Sequence, residues 1–419
     1  MTDARRWYVG VDWASENHHV FLTDGVGSKI GEKIFKHSGE GLADMAAWLM
    51  TASGAVEPRQ VYIAIEVPHG PVVETLIERA FNVYAINPKQ MDRFRDRFTL
   101  AGAKDDSRDA ETMASALRTD VRCFRLLAAA DPIVVELREW SRISEDLGTE
   151  RIRLTNRMRQ QLWRYFPAML ELETDLSAEW LLELWQTVPT PEKAVRVRET
   201  TIAKLLKRNR IRRFDASAVI ATLRKQPVTV ADGTTVAATA HIGTLIARIR
   251  LLNQQIGDAH RQLDKLVAKL SGSGNAEETE PGQLKQHDAE ILASLPGVGR
   301  IVLATLLAEA WDALQRRDYA ALRSLTGVAP VTKSSGKSRI VIRRQACNDR
   351  LSNAVYHWAR VAVQHDRTSR AKYSALRGRG KSHGRALRSV ADRLLNVACA
   401  MLKAGTPFNP ALAAQNAPC

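Results

Sequence analysis

The sequence predicts an α/β domain followed by a largely helical region, and three observations favour this. Between residues 5 and 125, short apolar runs of strand type alternate with helical segments, as in a mixed sheet with helices on its faces. From about 131 to 170 and from 242 to 270, apolar residues recur every three or four positions, as in long paired helices. After residue 287 a Gly-rich turn leads into further helices.

These patterns set the predicted domain limits. Residues 1–125 form the α/β domain, and residues 126–270 form a coiled-coil region interrupted by a basic insertion at about 171–240. The Gly, Ser and Glu content of residues 271–286 is that of a flexible linker. A helical domain at 287–405 and a tail at 406–419 complete the chain.

The first domain contains a regular order of elements. The segments RWYVGVDW, HHVFLTDG and GEKIFKHS predict three strands, and GEGLADMAAWLM predicts a helix. Next come the strand VYIAIEV, the helix PVVETLIERA and the strand NVYAIN. The Ala, Leu and Met content of KDDSRDAETMASALR predicts a final helix.

Four carboxylates stand out in this domain. Asp12 lies near the end of the first strand, and Glu66 closes the strand VYIAIEV just before a Pro and a Gly. Asp106 and Asp109 are three residues apart in the final helix, so they share one helical face. Four converging acids are able to hold two divalent metal ions, which stabilise the attacking and leaving oxygens in phosphodiester chemistry.

A simpler interpretation exists for each acid alone. An acid at a strand end or in a first helical turn is more often a solvated cap than a metal ligand. The combination favours the metal site, because an acid that ends an apolar strand has little access to water and this happens twice.

The helix at 242–270 has a regular apolar seam with alternating steps of three and four. It consists of Ile242, Leu245, Ile249, Leu252, Ile256, Ala259, Leu263, Leu266 and Leu270. This seam predicts a coiled coil, either with the 131–170 helix of the same chain as an antiparallel hairpin or with another subunit. The basic run KLLKRNRIRRF in the insertion is either a solvated helix face or a nucleic-acid contact.

Composition indicates a polyanionic partner. The 419 residues include 61 Lys and Arg against 46 Asp and Glu, a formal charge of +15. The four cysteines are scattered without a CxxC pair, which excludes a predicted disulfide framework or zinc site. By eye, no apolar stretch in the sequence approaches the ~20 residues needed to span a bilayer, and the N-terminal residues lack the apolar core of a signal peptide. The sequence therefore predicts a cytoplasmic protein with no membrane contact.

The C-terminal domain carries two candidate nucleic-acid features. In ASLPGVGRIVLATLLAE, Gly297 and Gly299 make a turn before a helix whose backbone N–H groups can accept a phosphate, as in half of a helix-hairpin-helix. From Lys333 to Arg393 there are sixteen Lys and Arg against three acids, which predicts basic helices interleaved with aromatics that track a nucleic-acid backbone. The motif GxxxxGK[ST] is absent, which argues against ATP hydrolysis.

Taken in order, several motifs resemble the DEDD-type transposases of one bacterial insertion-sequence family, whose members act as bridge-RNA-guided recombinases. The motifs are VGVDWASENHHVFL, IEVPHG, INPKQMDRFR, AKDDSRDAETMA, LPGVGRIVLATLLAE, LTGVAPVTKSSGKS and ALRSVADRLLNVACAML. The resemblance covers most of the chain apart from about 171–240. It implies a RuvC-like, RNase H-like N-terminal fold.

The resemblance also implies site residues. It places the four acids on Asp12, Glu66, Asp106 and Asp109 as ligands of Mg²⁺, with the family signature on Lys104 to Ala110. It places a nucleophilic serine on Ser335. Two departures from the family pattern are Asp105, where threonine is usual, and Ser334, a second hydroxyl beside Ser335. The basic residues expected to neutralise nearby phosphates are Lys333, Lys337, Arg339, Arg343 and Arg344.

The implied reaction is attack of Ser335 on a DNA phosphate, which gives a phosphoserine link and a free 3′-hydroxyl. The implied partners are a structured guide RNA, donor and target DNA, and further copies of the chain in a dimer that assembles to a tetramer. Two alternatives stay open. One is a two-metal nuclease or junction resolvase that uses water and no covalent intermediate, and the other is a non-catalytic RNA- and DNA-binding assembly protein.

Overall fold

The structure is a computed structural model that describes residues 6–97, 105–129, 131–271, 287–336 and 338–409. The chain divides into two compact units, Met1–Asp131 and Pro132–Cys419. The first is a mixed α/β fold and the second is mostly helical, which confirms the predicted fold class at this level.

Within its described residues, 6–97, 105–129 and 131, the first unit contains six strands and four α-helices. Their bounds in chain order are β1 Trp7–Trp13, β2 Asn17–Thr23, β3 Lys29–Lys36, α1 Gly39–Ser53, β4 Val61–Ile65, α2 Pro71–Glu78, β5 Asn82–Ala85, α3 Pro88–Arg95, α4 Asp106–Thr119 and β6 Arg125–Leu126. The sheet order is β3-β2-β1-β4-β5-β6. β1, β4 and β5 run parallel to one another, whereas β2, β3 and β6 are antiparallel to their neighbours.

The two faces of this sheet are packed differently. Val9 and Val11 of β1 and Ile63 and Ile65 of β4 point to one face and are buried with α1 and α2 in a large apolar core. On the other face α4 crosses β1 very closely, because the residue at the crossing is Gly10. A Cβ built on Gly10 would lie 1.8 Å from the backbone oxygen of Ala110. The close helix therefore depends on a glycine in the strand and small residues in α4.

The second unit contains thirteen helices and one hairpin in the part of the chain that the structure describes. Their bounds are α5 Pro132–Tyr165, α6 Glu179–Thr187, α7 Pro191–Arg196, α8 Glu199–Arg208, α9 Ala216–Leu223, α10 Thr234–Leu270, α11 His287–Ala293, α12 Arg300–Glu309, α13 Trp311–Gln315, α14 Tyr319–Leu325, β7 Val331–Ser335, β8 Ser338–Ile342, α15 Asp349–His365, α16 Arg367–Gly378 and α17 His383–Ala404.

α10 packs along α5 of the same chain, and the two helices are antiparallel. Leu137 near the start of α5 shares a core with Leu263 and Leu266 near the end of α10. Leu162 near the end of α5 shares a core with Ile242 near the start of α10. Of the two pairings that the apolar seam left open, the structure shows the intrachain one.

By length and composition, α10 is also apolar enough to cross a membrane. The expectation that no stretch would reach this length is therefore wrong for α10. The contact with α5 accounts for its apolar seam, because Ile242, Leu245 and Ile249 are buried against α5 and the insertion helices.

The insertion folds as a small helical layer on the α5–α10 pair. Its core includes Trp180, Trp185 and Leu205, and the Tyr165 hydroxyl accepts a hydrogen bond from the Trp185 indole N–H at 2.9 Å. In the basic run, Arg208 and Arg213 form ion pairs with Glu183 and Glu173. Part of the basic run thus holds the insertion together.

The C-terminal helices surround a second core centred on Trp358 of α15. The Trp358 indole N–H donates to the carbonyl of Pro296 at 2.9 Å. This region was expected to be part of a basic helical surface, but Val331–Ser335 and Ser338–Ile342 instead pair as the antiparallel strands β7 and β8. The Val and Ile content of this segment and the turn at Gly336 explain the strand structure. Most of the predicted linker, residues 272–286, and the end of the tail lie outside the described residues.

Candidate active site

Asp12 and Glu66 are neighbours on one face of the sheet. β1 and β4 are parallel, and Val11 is aligned with Ile65, so Asp12 and Glu66 are the next aligned positions. Strand alternation puts Asp12 on the same face as Gly10, and Glu66 on the same face as Ala64. Both acids thus belong to the face that α4 covers, at the carboxyl ends of their strands.

The direction of α4 brings its first turn to these acids. Ala110 contacts Gly10, whereas Arg118 near the helix end contacts Gly27 in the turn between β2 and β3. α4 therefore runs antiparallel to β1, and its N-terminal residues lie beyond Gly10 on the side of Asp12. We call the face that bears Asp12, Glu66 and the Asp106–Asp109 turn of α4 the carboxylate face.

Asp109 is the most buried of these acids, with 3% of its surface exposed. Arg95, the last residue of α3, binds both of its oxygens, with Nε to Oδ1 at 2.6 Å and Nη2 to Oδ2 at 3.0 Å. Arg95 also donates to Asp92 at 2.6 Å. The hydrogen bond to Asp109, followed by the charges of Asp109, Asp92 and Glu66, raises the pKa of Arg95. Asp106 is exposed at the start of the helix.

A polar network lies on the same face of the sheet. His19, which is aligned with Asp12 in β2, contacts Glu32 of β3. Glu32 also accepts hydrogen bonds from Ser107 of α4 and, at 2.6 Å, from Lys29. The bonds from Lys29, Ser107 and His19 lower the pKa of Glu32 to about 2. The network links α4 to β2 and β3 at the turn that carries Asp106 and Asp109.

Ser335 is the last residue of β7, and we call the paired strands Val331–Ser335 and Ser338–Ile342 the serine hairpin. Ser335 is aligned with Ser338, and the chain reverses at Gly336, whose φ of 53° favours glycine. Alternation puts Ser335 on one face of the hairpin with Lys333 and Ile340 and puts Ser334 on the other. Both serines are exposed, so the hairpin presents two hydroxyls in opposite directions.

Two family models match the chain. A DEDD-type transposase model covers residues 9–167, and a model described as transposase IS116/IS110/IS902 family covers residues 289–374. The chain is 30% identical over 399 residues to the mini-circle IS117 protein of Streptomyces coelicolor, which is assigned as a transposase, and the match covers 94% of this chain and 93% of that one. The chain belongs to the IS116/IS110/IS902 family of transposases.

Two further relatives are also similar to this transposase in sequence. It is 79% identical over 216 residues to y4uE of Sinorhizobium fredii, assigned as a transposase, over 52% of this chain and 60% of that relative. It is 28% identical over 412 residues to the 44.8 kDa protein of insertion element IS116 from Streptomyces clavuligerus, with 97% of each chain covered. This transposase thus spans less than two thirds of y4uE and almost the full length of the IS116 protein.

DEDD transposases typically use divalent metal ions, and the carboxylate face has the right donors for one. Among the described residues, no group of three or more His, Cys, Asp or Glu side chains lies close enough together to hold an ion. The guanidinium of Arg95 instead binds Asp109, and it also interacts electrostatically with Glu66. Asp109 is thus already bound to a cationic side chain, and Arg95 would have to release it before a metal ion could use it.

The other predicted residues of the transposase lie in different settings. Lys333 and Arg339 are exposed on the serine hairpin, and Arg343 follows β8. Arg344 is partly buried and donates to the carbonyl of Ala329 at 3.3 Å, so it braces the base of the hairpin. Lys337 and Lys104 lie outside the described residues.

The two glycines of the LPGVG turn also differ. Gly297 has φ 83°, and a Cβ there would lie 2.7 Å from the backbone nitrogen of Ala362, so this glycine packs against α15. Gly299 is exposed at the N-cap of α12, where no side chain caps the helix. Of the two, only Gly299 leaves a helix start open to a phosphate.

Sequence reasoning did not identify Arg95, His19 or Glu32. Arg95 was inside a quoted motif, INPKQMDRFR, but an arginine near acids has no sequence spacing that marks it as their partner. His19 carries a weak signal, because strand alternation places it on the same sheet face as Phe21, Gly10 and Asp12.

Proposed function

We propose that this transposase cuts and exchanges DNA strands through the hydroxyl of Ser335, with Asp12, Glu66, Asp106 and Asp109 as its Mg²⁺-binding acids in a RuvC-like domain. The observation that carries the proposal is that these acids belong to one sheet face at the same end of the sheet, although no three of them lie close enough together to hold an ion among the described residues. Parallel register brings Asp12 beside Glu66, and the contact of Gly10 with α4 brings the Asp106–Asp109 turn to the same end.

The serine hairpin supports Ser335 as the nucleophile. Its exposed position at the end of a strand lets the hydroxyl approach a phosphate without a steric barrier. Lys333 lies on the Ser335 face, whereas Arg339 lies on the Ser334 face. A cation beside Ser335 stabilises the charge that develops on the transferring phosphoryl group.

In the chemical step, one phosphoester bond forms for each one that breaks. The Ser335 oxygen forms a bond to phosphorus as the bond from phosphorus to the 3′-oxygen breaks, which leaves a phosphoserine and a free 3′-hydroxyl. The serine gives up one proton and the leaving oxygen takes one up. A later attack by a 3′-hydroxyl from the partner strand reverses the step, so no high-energy cofactor is needed.

When bound, Mg²⁺ would supply the positive charge that activates the hydroxyl and stabilises the phosphoryl transfer. The acids of the chain would hold that charge in place, and the His19–Glu32–Ser107 network fixes the first turn of α4, which carries two of them. Arg95 holds Asp109 until then.

The proposed partners are donor and target DNA, a structured guide RNA that supplies sequence choice by base pairing, and further copies of the chain acting in the cytoplasm. The formal charge of +15 supports nucleic-acid partners. The seam of α10 is filled by α5, so contacts between protomers need other surfaces. Ile143 and Ile152 of α5 are 42% and 60% exposed, and exposed apolar side chains of this kind are available for contact with other subunits in the proposed dimer or tetramer.

An excision assay in cells tests the proposal. The element with its own flanking DNA is scored for the circular junction in wild type, Ser335→Ala and Ser334→Ala. Ser334→Ala is the matched control, since it removes the adjacent hydroxyl from the opposite face of the hairpin. We expect Ser335→Ala to abolish the junction while the protein accumulates and binds nucleic acid, and Ser334→Ala to retain it.

Other outcomes favour the alternatives. A junction that persists in Ser335→Ala but is lost in Asp12→Ala indicates a nuclease or resolvase that uses water. Loss in Ser334→Ala alone assigns the nucleophile to Ser334. Absence of any junction or cleavage in the wild type, with nucleic-acid binding intact in all variants, indicates an assembly protein.

A further inference from the structure

A cavity of about 340 Å³ lies at the base of the serine hairpin. It is lined by the loop that precedes β7, by the first two turns of α15 and by the first turns of α17. Its polar lining residues include Ser352, Asn353 and Tyr356 of α15, Arg388 of α17, and Arg343, which follows β8. Its size is within the range of small-ligand sites, about 300–1,000 Å³.

The charges around this cavity are unbalanced. Arg343 and Arg388 both line it, and neither has a carboxylate within ion-pair distance among the described residues. Burial and then the nearby charges of Arg343 and Arg385 lower the pKa of Arg388. Asp349, the only acid in the lining, is exposed at the start of α15. Arg388 is partly buried and the exposed Arg343 lies near it, so their like charges repel each other and an anion bound between them would relieve that repulsion.

Backbone dipoles add to this positive potential. α15 is 17 residues long and α17 is 22, and the first turns of both helices line the cavity. The start of α15 is capped by Asn348, whereas no side chain caps the start of α17. The N–H groups of the first turn of α17 are therefore available to an anion, and the helix dipole favours one.

The cavity lies close to the nucleophile. Arg343 directly follows β8, and Ser335 is aligned with Ser338 at the other end of that strand. Five residues of extended chain span roughly 16 Å at about 3.3 Å per residue. Phosphates follow one another along each strand of a DNA duplex at about 3.4 Å of axial rise, so a phosphate this far away lies at most about five nucleotides from the one that Ser335 attacks.

We infer that this cavity binds one backbone phosphate of the DNA strand that is cut, within about five nucleotides of the phosphate that Ser335 attacks. Arg388 and Arg343 bind its oxygens, and the first turn of α17 donates backbone hydrogen bonds. This contact fixes the register of the strand relative to the hairpin, so the cavity is a positioning site. The inference rests on the proposed function for the identity of the strand.

Neutralising the DNA phosphates one at a time tests whether the cavity binds one of them. The protein carries Ser335→Ala, so that the DNA stays intact, and is purified with any RNA from cells that express the whole element. The probes are junction duplexes in which each phosphate in turn is replaced by a neutral methylphosphonate. We expect one position within about five nucleotides of the exchange site to weaken binding about tenfold, the size of one charge-assisted contact.

A second substitution assigns that phosphate to the cavity. In the Ser335→Ala protein that also carries Arg388→Gln, neutralising the same position should weaken binding less than twofold further, because the contact is already lost. Arg343→Gln, at an exposed residue whose replacement leaves the core intact, should behave the same way. Arg316→Gln is the matched control: it removes one exposed positive charge outside the cavity and should leave the tenfold effect unchanged.

The outcomes separate this inference from the proposed function. An unchanged neutralisation profile in both cavity variants overturns the inference, as does failure of the protein to bind the duplex. If Ser335 proves not to be the nucleophile, the coupling between Arg388 and one phosphate still reports whether the cavity is a phosphate site. If covalent cleavage at Ser335 stands and the coupling is absent, only the cavity assignment fails.

Discussion

The carboxylate face and the serine hairpin differ in how many contacts they make with the rest of the protein. On the carboxylate face, Asp109 is almost fully buried and its two oxygens are bound by Arg95, and α4 lies against the backbone of Gly10. In the serine hairpin all residues of the two strands except the half-buried Val331 are exposed, and Ile340 has 57% of its surface in contact with solvent. A two-stranded ribbon of this kind is marginally stable by itself. The acids are thus preorganised by the core, whereas the serine is placed mainly by whatever binds the hairpin.

The largest expected effect comes from glycines in the two regions. Gly10→Ala should prevent folding of the first unit, because its Cβ would overlap the backbone of α4. Gly336→Ala should cost only about 1 kcal/mol, since nothing lies within 4 Å of a Cβ there and only the positive φ is unfavourable. Circular dichroism and urea unfolding measure both. If Gly10→Ala and Gly336→Ala lowered the free energy of unfolding by similar amounts, the carboxylate face would not be more tightly packed than the serine hairpin.

The next effect concerns Arg95. Arg95→Ala leaves the buried carboxylate of Asp109 without its partner, which should cost about 3–5 kcal/mol in the absence of divalent ions. If these acids form the metal site, Mg²⁺ should restore much of that loss and should stabilise this variant more than the wild type. Thermal unfolding with and without Mg²⁺ measures this. Arg97→Ala, which breaks a largely exposed pair with Asp120, is the control and should respond little. Equal Mg²⁺ effects in all three proteins would argue against a metal at Asp109.

A smaller effect involves Glu32 and pH. The pKa of Glu32 is depressed from 4.5 to about 2 in the folded protein, so its contribution is present above pH 4.5 and is lost as the pH falls from about 4.5 to 2. Glu32→Gln should reduce stability by about 1 kcal/mol at pH 7. The difference from wild type should shrink below pH 4.5. Urea unfolding across this range measures it, and a constant difference would show that Glu32 does not act through its charge.

The smallest effect on stability is expected on the hairpin. Ile340→Ser replaces an apolar side chain that is already exposed, so unfolding should change by less than about 0.5 kcal/mol. Excision should fall, because Ile340 shares the face of Ser335 and would contact the bound partner. Val341→Ser on the opposite face is the matched control. A large loss of stability with Ile340→Ser would mean that the hairpin is held by the protein itself.

The sequence predicted an α/β unit followed by a mostly helical one, which the structure shows, and it singled out four candidate acids but not Arg95, which binds Asp109. The strand RWYVGVDW and the helix after AKDD were found because periodicity and composition are local properties. Residues 331–342 were expected to join basic helices, because the charge of the segment outweighed its short apolar alternation in that interpretation. Arg95 was missed because a salt bridge joins residues from different elements, and no spacing along the chain records it.

By itself the sequence determined which residues end the strands, that Asp106 and Asp109 share a helical face, that the chain has a strong positive charge, and that α10 carries a continuous apolar seam. These follow from the local geometry of strands and helices, which fixes the direction of neighbouring side chains. Only the tertiary structure decided that α5 of the same chain fills the seam, that Arg95 binds Asp109, and that Arg343 and Arg388 line one cavity. Those contacts join residues distant in sequence, because burial of apolar surface brings whole elements together and the polar groups at their ends then pair according to where they meet.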